Sequence, residues 1–226
     1  MSKELFPGKY FDALLFDMDG TVLTSIVAAE RVWSAWGAKH GVDVKRMLKM
    51  MHGVRAVETV RAQNLVGIDP EAEAKWINDQ EIEDVDGVDA VPGVIRFLNS
   101  LPEDRWCIVT SAPRTLALHR LRVAHIPVPR VLITAEDVER GKPVPDCFIL
   151  GANELGFEAA NCCVFEDAYA GIRAARAAGS EVVIVSYTHK NTLDNNLVSI
   201  HDYEKLSVDK FRDGRLTLLK HAITDA

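Results

Sequence analysis

Only four of the 226 residues are cysteine, and none of them sits in a Cys-x-x-Cys spacing. A disulfide framework is not expected in a chain of this size. Cys162 and Cys163 are neighbours in an apolar run and read as reduced packing residues. Basic charge is also scarce: 26 Lys and Arg stand against 33 Asp and Glu, for a net charge of -7. That leaves no electrostatic footprint for nucleic acid. No apolar stretch is long enough to span a bilayer, and the N-terminal "MSKELFPGKYFD" lacks the apolar centre of a signal peptide. Repeats and low-complexity segments are missing too. These absences give the expectation of a cytoplasmic protein, a monomer by default, with no nucleic-acid or membrane partner. What remains is ordinary for a globular chain, 48% hydrophobic and 26% charged. Its length suffices for one core, or for a core domain with a smaller insert.

Short runs rich in Val and Ile recur: "ALLF", "WCIVT", "RVLIT", "CCVF" and "EVVIV". None alternates strictly, which suits strands covered on both faces. Helical stretches such as "PGVIRFLNSL", "PRTLALHRLRVA" and "AGIRAARAAG" lie between them. This alternation predicts an α/β fold with a doubly wound parallel sheet. Residues 25–89 break the rhythm. They read as amphipathic helices separated by Gly and Asp-Pro signals, an insert between the first strand and the rest of the sheet. The expected division is therefore a core of residues 1–24 and 90–226 and a helical insert of 25–89. Near the end, "KLSVDKFRDGRLTLL" predicts a hairpin turning at Asp213-Gly214, a favoured two-residue pair.

The chemistry collects where the strands stop. "LLFDMDGTVLTS" ends an apolar run with Asp17 and Asp19, two acids on one face of an extended segment, followed by a turn at Gly20. "CIVT" ends in Thr110-Ser111, "CCVF" runs into Glu166-Asp167, and the loop after "VLIT" carries Lys142 in "RGKPVPD". In a parallel sheet all of these emerge at the carboxyl edge, where doubly wound sheets bind ligands. Four acids in one crevice require a partner or would be forced to protonate. An all-oxygen site suits Mg²⁺, which favours the company of a phosphate group. Lys142 adds a cation, and Thr110, Ser111 and nearby N–H groups add donors. This is the equipment of phosphoryl transfer. Asp17 can attack phosphorus, and Asp19 can protonate the departing oxygen and later take a proton from water.

"FDMDGT", "VTS", "RGKPVPD" and "FEDAYAG" resemble the four motifs of the haloacid dehalogenase-like superfamily, in its subgroup with a helical cap. The likeness covers nearly the whole chain. Within the superfamily it resembles the group of fungal glycerol-3-phosphate and 2-deoxyglucose-6-phosphate phosphatases and related bacterial sugar phosphatases. It implies a Rossmann-like core, a mobile cap, Mg²⁺ and a phosphoaspartate intermediate. It also implies metal ligation by Asp17, the backbone carbonyl of Asp19 and Asp167, with Glu166 nearby. Three positions depart from the common pattern: Thr24 where many relatives carry an acid, Ala112 where a glycine follows the Thr-Ser pair, and Tyr169 for a proline. Dehalogenases of the superfamily lack the second aspartate, so Asp19 argues for phosphate chemistry. Its sugar phosphomutases carry a cap histidine at or near the position of Ala29, which disfavours a mutase.

In the insert, His52 and Arg55 of "HGVR" and Glu81 of "QEIED" are candidates to reach a substrate hydroxyl, as is Arg114 beyond the phosphate motif. The Trp33 and Trp36 pair reads as packing within the insert. The expected activity is Mg²⁺-dependent hydrolysis of a small phosphorylated sugar or polyol. A sugar phosphomutase and a catalytically silent sugar-phosphate binder are the alternatives.

Overall fold

The computed structural model describes residues 2–188, 197–211 and 213–222. In chain order the elements are β1 (Ser2–Glu4), β2 (Leu14–Phe16), β3 (Leu23–Thr24), α1 (Ile26–His40), α2 (Val44–Met51), α3 (Ala56–Ala62), α4 (Pro70–Glu83) and β4 (Asp89–Ala90). There follow α5 (Val94–Ser100), β5 (Trp106–Val109), α6 (Arg114–Val123), β6 (Leu132–Ile133), α7 (Asp146–Leu155), β7 (Cys163–Glu166) and α8 (Tyr169–Ala177). β8 (Glu181–Val185), β9 (Val198–Ile200), β10 (Leu206–Lys210) and β11 (Leu216–His221) complete them.

Six strands form the central sheet in the order β6-β5-β2-β7-β8-β9, and every pairing is parallel. The chain builds outward from β2 in one direction, then returns to its other side with β7, so the switch point lies between β2 and β7. Both faces are covered. Leu14, Phe16, Ile108 and Phe165 face one apolar cluster with α5 and α6, while Leu15, Cys107, Val109 and Val164 face another with α7 and α8. Because each strand is buried on both sides, the expected lack of alternation has its physical cause here. On the first face Phe16 stacks on Phe165 with ring centroids 4.7 Å apart, and Tyr203 closes the cluster. All four cysteines are free and buried. Burial pushes their thiols up, which makes them inert packing groups.

β3 and β4 pair antiparallel, Leu23 against Ala90 and Thr24 against Asp89, and bracket α1 to α4. Local signals delimit these helices. Gly41 ends α1 in the left-handed region (φ 67). Asp43 caps α2 by accepting from the Arg46 N–H, and Asp69 caps α4 ahead of Pro70. The four helices share an apolar cluster of their own that includes Trp33, Trp36, Met47, Val60 and Ile77. The two tryptophan rings meet edge to face at 5.7 Å.

A second sheet, β1-β11-β10, is antiparallel. Its β10–β11 hairpin is the expected one, but the turn is wider than a two-residue pair. Phe211 N–H donates to the Arg215 carbonyl, and Gly214, at φ 84, donates to Phe211. That is a turn completed by a glycine bulge. Among the described residues no helix is long and apolar enough to cross a membrane.

Candidate active site

The carboxyl ends of β2, β5 and β7 meet beneath the insert, at the switch point where open α/β sheets place their ligands. Asp17 follows β2 directly, and its N–H continues the ladder to the Phe165 carbonyl at 3.0 Å. The chain then turns through Gly20, at φ 89. A Cβ there would overlap the Asp167 carboxylate, so the position requires glycine for space as well as conformation.

Lys142 is the hub. It is 1% exposed, and its ammonium donates to Asp17 Oδ1 at 2.5 Å, to Glu166 Oε1 at 2.8 Å and to the Val109 carbonyl at 3.3 Å. Three acceptors match its three protons. Glu166 is fully buried. Its second oxygen accepts the backbone N–H groups of Asp167 (2.8 Å) and Ala168 (2.7 Å). Asp167, 1% exposed, takes the Thr21 hydroxyl at 3.4 Å.

Burial raises the carboxyl pKa of Asp17 and of Glu166, and the neighbouring Lys142 charge offsets only part of this. Burial also pulls Lys142 downward, but the charges of Asp17 and Glu166 outweigh it and lift the ammonium above its ordinary range.

Three buried carboxylates, Asp17, Glu166 and Asp167, offer ligand oxygens within 4.8 Å of one another. One ammonium among three acids leaves an excess of negative charge in a dry place. An all-oxygen donor set of this kind fits a hard divalent cation such as Mg²⁺.

Asp19 sits two residues past Asp17 but outside that cluster. Its Oδ1 accepts from the Ser25 hydroxyl at 2.6 Å and from Arg120 Nη1 at 2.8 Å. Asp17, Asp19, Thr110 and Ser111 form the core wall of a narrow cleft of about 80 Å³, with Trp33, His52 and Glu81 on the insert side. The Thr110 hydroxyl oxygen accepts the Ala112 N–H at 3.0 Å. The Ser111 hydroxyl donates to the Gly53 carbonyl of the insert at 2.8 Å. Gly53 packs against the β7–α8 turn; a Cβ on it would come within 2.9 Å of the Ala168 Cβ.

The residues expected to touch substrate divide. His52 lines the cleft and faces Glu30 at 3.4 Å. Glu81, in an acid-rich run that suggests a solvated face, is 6% exposed and points at Arg120 across the cleft floor, 3.4 Å away. Arg55 and Arg114 do not line the cleft. Arg55 crosses from insert to core and donates to the carbonyls of Ala135, Val138 and Glu139, with Glu58 beside it. Arg114 turns to the Leu132 carbonyl and Asp137. Both guanidiniums satisfy backbone or acids at the β6 end, where a loop leaves carbonyls without ladder partners. Lys142 likewise stands behind Asp17 and not on the cleft wall.

Arg120 is the residue that sequence reasoning passes over. It sits in "PRTLALHRLRVA", a helix read only by its periodicity. Its signal is positional: it falls on the same face as the buried Leu116, Ala117 and Leu121. A charge on the apolar stripe of a helix requires a partner.

A parallel doubly wound sheet, with an acid pair at its switch point and a lysine–carboxylate cluster beneath an inserted helical layer, defines a hydrolase of the phosphoryl-transfer type. The description "haloacid dehalogenase-like hydrolase" matches residues 11–179, and the chain belongs to that family. It is 36% identical over 205 residues to hexitol phosphatase A of Escherichia coli (strain K12), covering 88% of this chain and 95% of that protein. It is 33% identical over 193 residues to glycerol-1-phosphate phosphohydrolase 1 of Saccharomyces cerevisiae, covering 78% and 75%. The fold also matches that of a β-phosphoglucomutase from Clostridium difficile, with a TM-score of 0.72 at 20% identity over 85% of this chain and 91% of that one. At that identity the match speaks for the fold alone.

Proposed function

We propose that this chain is a Mg²⁺-dependent phosphatase of small phosphorylated polyols or sugars, working through a phosphoryl ester of Asp17. The observation that carries the reading is the buried Asp17–Lys142–Glu166–Asp167 cluster with Asp19 on the adjoining cleft wall. The likeness to a hexitol phosphatase and a glycerol phosphate phosphohydrolase over most of the chain supports the substrate class.

Asp17 attacks phosphorus; a bond forms to its carboxylate oxygen and the ester bond to the alcohol breaks. Asp19 gives its proton to the departing alkoxide, a poor leaving group without one. Water then attacks the same phosphorus, Asp19 takes the water's proton, and inorganic phosphate leaves as the bond to Asp17 breaks. Lys142 aims the nucleophile and favours its ionised form against the effect of burial. Thr110, Ser111 and the following N–H groups face the phosphoryl oxygens. Asp17, Asp167 and the Asp19 carbonyl would hold Mg²⁺, with Glu166 beside them, and the ion would neutralise the phosphoryl charge. Residues 25–89 serve as a cap over a core of 1–24 and 90–226, its two crossings at β3 and β4, and exclude water once substrate is bound.

The mutase alternative gains nothing from the cleft. Ala29, at the expected place of a mutase histidine, lines it and offers no proton donor. A phosphate-release screen over hexitol, glycerol and deoxyhexose phosphates, with and without Mg²⁺, tests the reading. Release that stops on chelation is expected. Isomerised sugar phosphate without free phosphate would favour the mutase, and saturable binding without either product would favour a silent binder.

A further inference from the structure

Arg120 has no part in the reaction described above, yet it is buried at the seam between core and insert. Its side chain is 4% exposed. Nη1 donates to Asp19 Oδ1 at 2.8 Å, the oxygen that also receives the Ser25 hydroxyl. Nη2 faces Glu81 Oε2, on α4 of the insert, at 3.4 Å. That is ion-pair distance without a hydrogen bond, and Nε and Nη2 are buried with no acceptor. Half of the guanidinium fork is therefore satisfied by the core, and the other half awaits the insert.

An arginine with a purely structural role is expected to have its donors filled, because an orphaned buried donor keeps its whole desolvation penalty. Here a shift of α4 by a fraction of an ångström would bring Glu81 into the paired geometry that guanidinium and carboxylate prefer. The same movement would press the insert onto the cleft. Ser25 and Arg120 both hold Oδ1 of Asp19, so the carboxylate cannot rotate freely, and neither of them engages Oδ2.

We propose that Arg120 is a positioning residue: it orients Asp19 for proton transfer and draws Glu81 of the insert onto the core, so that closing over substrate and aligning the proton carrier are one event. The inference rests on the phosphatase reading, with Asp19 as proton carrier. Glu81 thereby acts through Arg120 on closure, in addition to facing the substrate.

The test uses the full chain with Mg²⁺. Wild type must first release phosphate from a hexitol phosphate and lose that activity in Asp17→Asn; failure there overturns the phosphatase reading itself. Arg120→Met, Arg120→Lys and Glu81→Gln are then compared on that alkyl ester and on p-nitrophenyl phosphate. Rapid-quench measurement follows the first release of alcohol or phenol. The nitrophenolate leaves without a proton, so its burst does not need an aligned Asp19.

Arg120→Met is expected to slow alcohol release about 100-fold and the nitrophenolate burst by less than about threefold, with Arg120→Lys recovering part of the loss. Glu81→Gln is expected to raise KM for the hexitol phosphate about tenfold and to slow alcohol release more than the nitrophenolate burst, because closure and alignment fail together. Equal losses on the two esters overturn the proposal, as does an unchanged KM in Glu81→Gln. If Arg120→Met fails to fold, the ester ratio in Arg120→Lys and the KM of Glu81→Gln decide.

Discussion

Two buried cations stand about the same cleft under different terms. Lys142 lies wholly within the core, and all three of its protons have acceptors. Arg120 lies where the core meets the insert, and two of its nitrogens lack acceptors. The difference follows from what surrounds each. Lys142 is fixed by the ends of β2, β5 and β7, which are locked in register by the sheet. Arg120 depends on α4 of the insert, whose four helices pack on an apolar cluster of their own and meet the core through polar contacts such as Arg55 and Ser111 and through Ala28 and Ile82. A site that must hold several like charges is assembled inside one layer. The cation shared between two layers is the one left with donors unfilled.

The largest effect expected is at the nucleophile. Asp17→Asn should fold normally and lose at least about 10⁴-fold in phosphate release. Residual turnover near wild type would remove Asp17 from its role.

Lys142→Met comes next and breaks the fully satisfied half of the comparison. It leaves Asp17 and Glu166 buried without their cation, and urea unfolding in chelator should show a loss of about 3–5 kcal/mol. Added Mg²⁺ should return part of that loss by binding the folded form. In the unaltered protein, burial still pushes Asp17 from 3.8 up to about 7 despite Lys142. A carboxyl with a raised folded-state pKa holds its proton more tightly in the folded protein. Its contribution is therefore present below about pH 4 and is lost as pH rises toward about 7. The rise in Tm produced by Mg²⁺ should accordingly grow over that interval; a flat difference would show that the cluster is not the ion's site.

Gly171→Ala, in α8, sharpens the same point. Alanine is ordinarily the better helix residue by about 1 kcal/mol. Here its Cβ would overlap the Glu166 carboxylate, so a destabilisation of about 1–3 kcal/mol and weaker Mg²⁺ binding are expected instead.

The smallest effect belongs to the insert. Arg55→Ala removes donors to the Ala135, Val138 and Glu139 carbonyls. It should lower kcat/KM by about threefold to tenfold and Tm by about 2–4 °C.

The strand ends are legible in the sequence because each apolar run stops on a polar group: Asp17, Thr110, Glu166. Strand composition then placed them at one edge. The insert's helices were legible from the breaks between them, Gly41 and Asp69-Pro70; the Asp43 cap was not. β9 was not anticipated, since "VSI" is a short, partly exposed strand with no distinguishing composition. Nor were β3 and β4, two residues each, whose pairing depends on where the insert leaves and rejoins. Arg55, Arg114 and Arg120 show the limit at side-chain scale. A guanidinium on a long stem reaches several ångströms in any direction, and only the fold decides whether it meets a backbone carbonyl, as Arg55 and Arg114 do, or a carboxylate in the cleft, as Arg120 does.

The central claim is a phosphoryl group carried transiently on one carboxylate. Acid quenching of the enzyme during turnover of a hexitol phosphate, followed by peptide mass spectrometry, tests it directly. The account predicts a hydroxylamine-labile phosphoryl group on the peptide containing Asp17, missing from Asp17→Asn. Turnover with that peptide unmodified at every quench time, or the label on another residue, would contradict it.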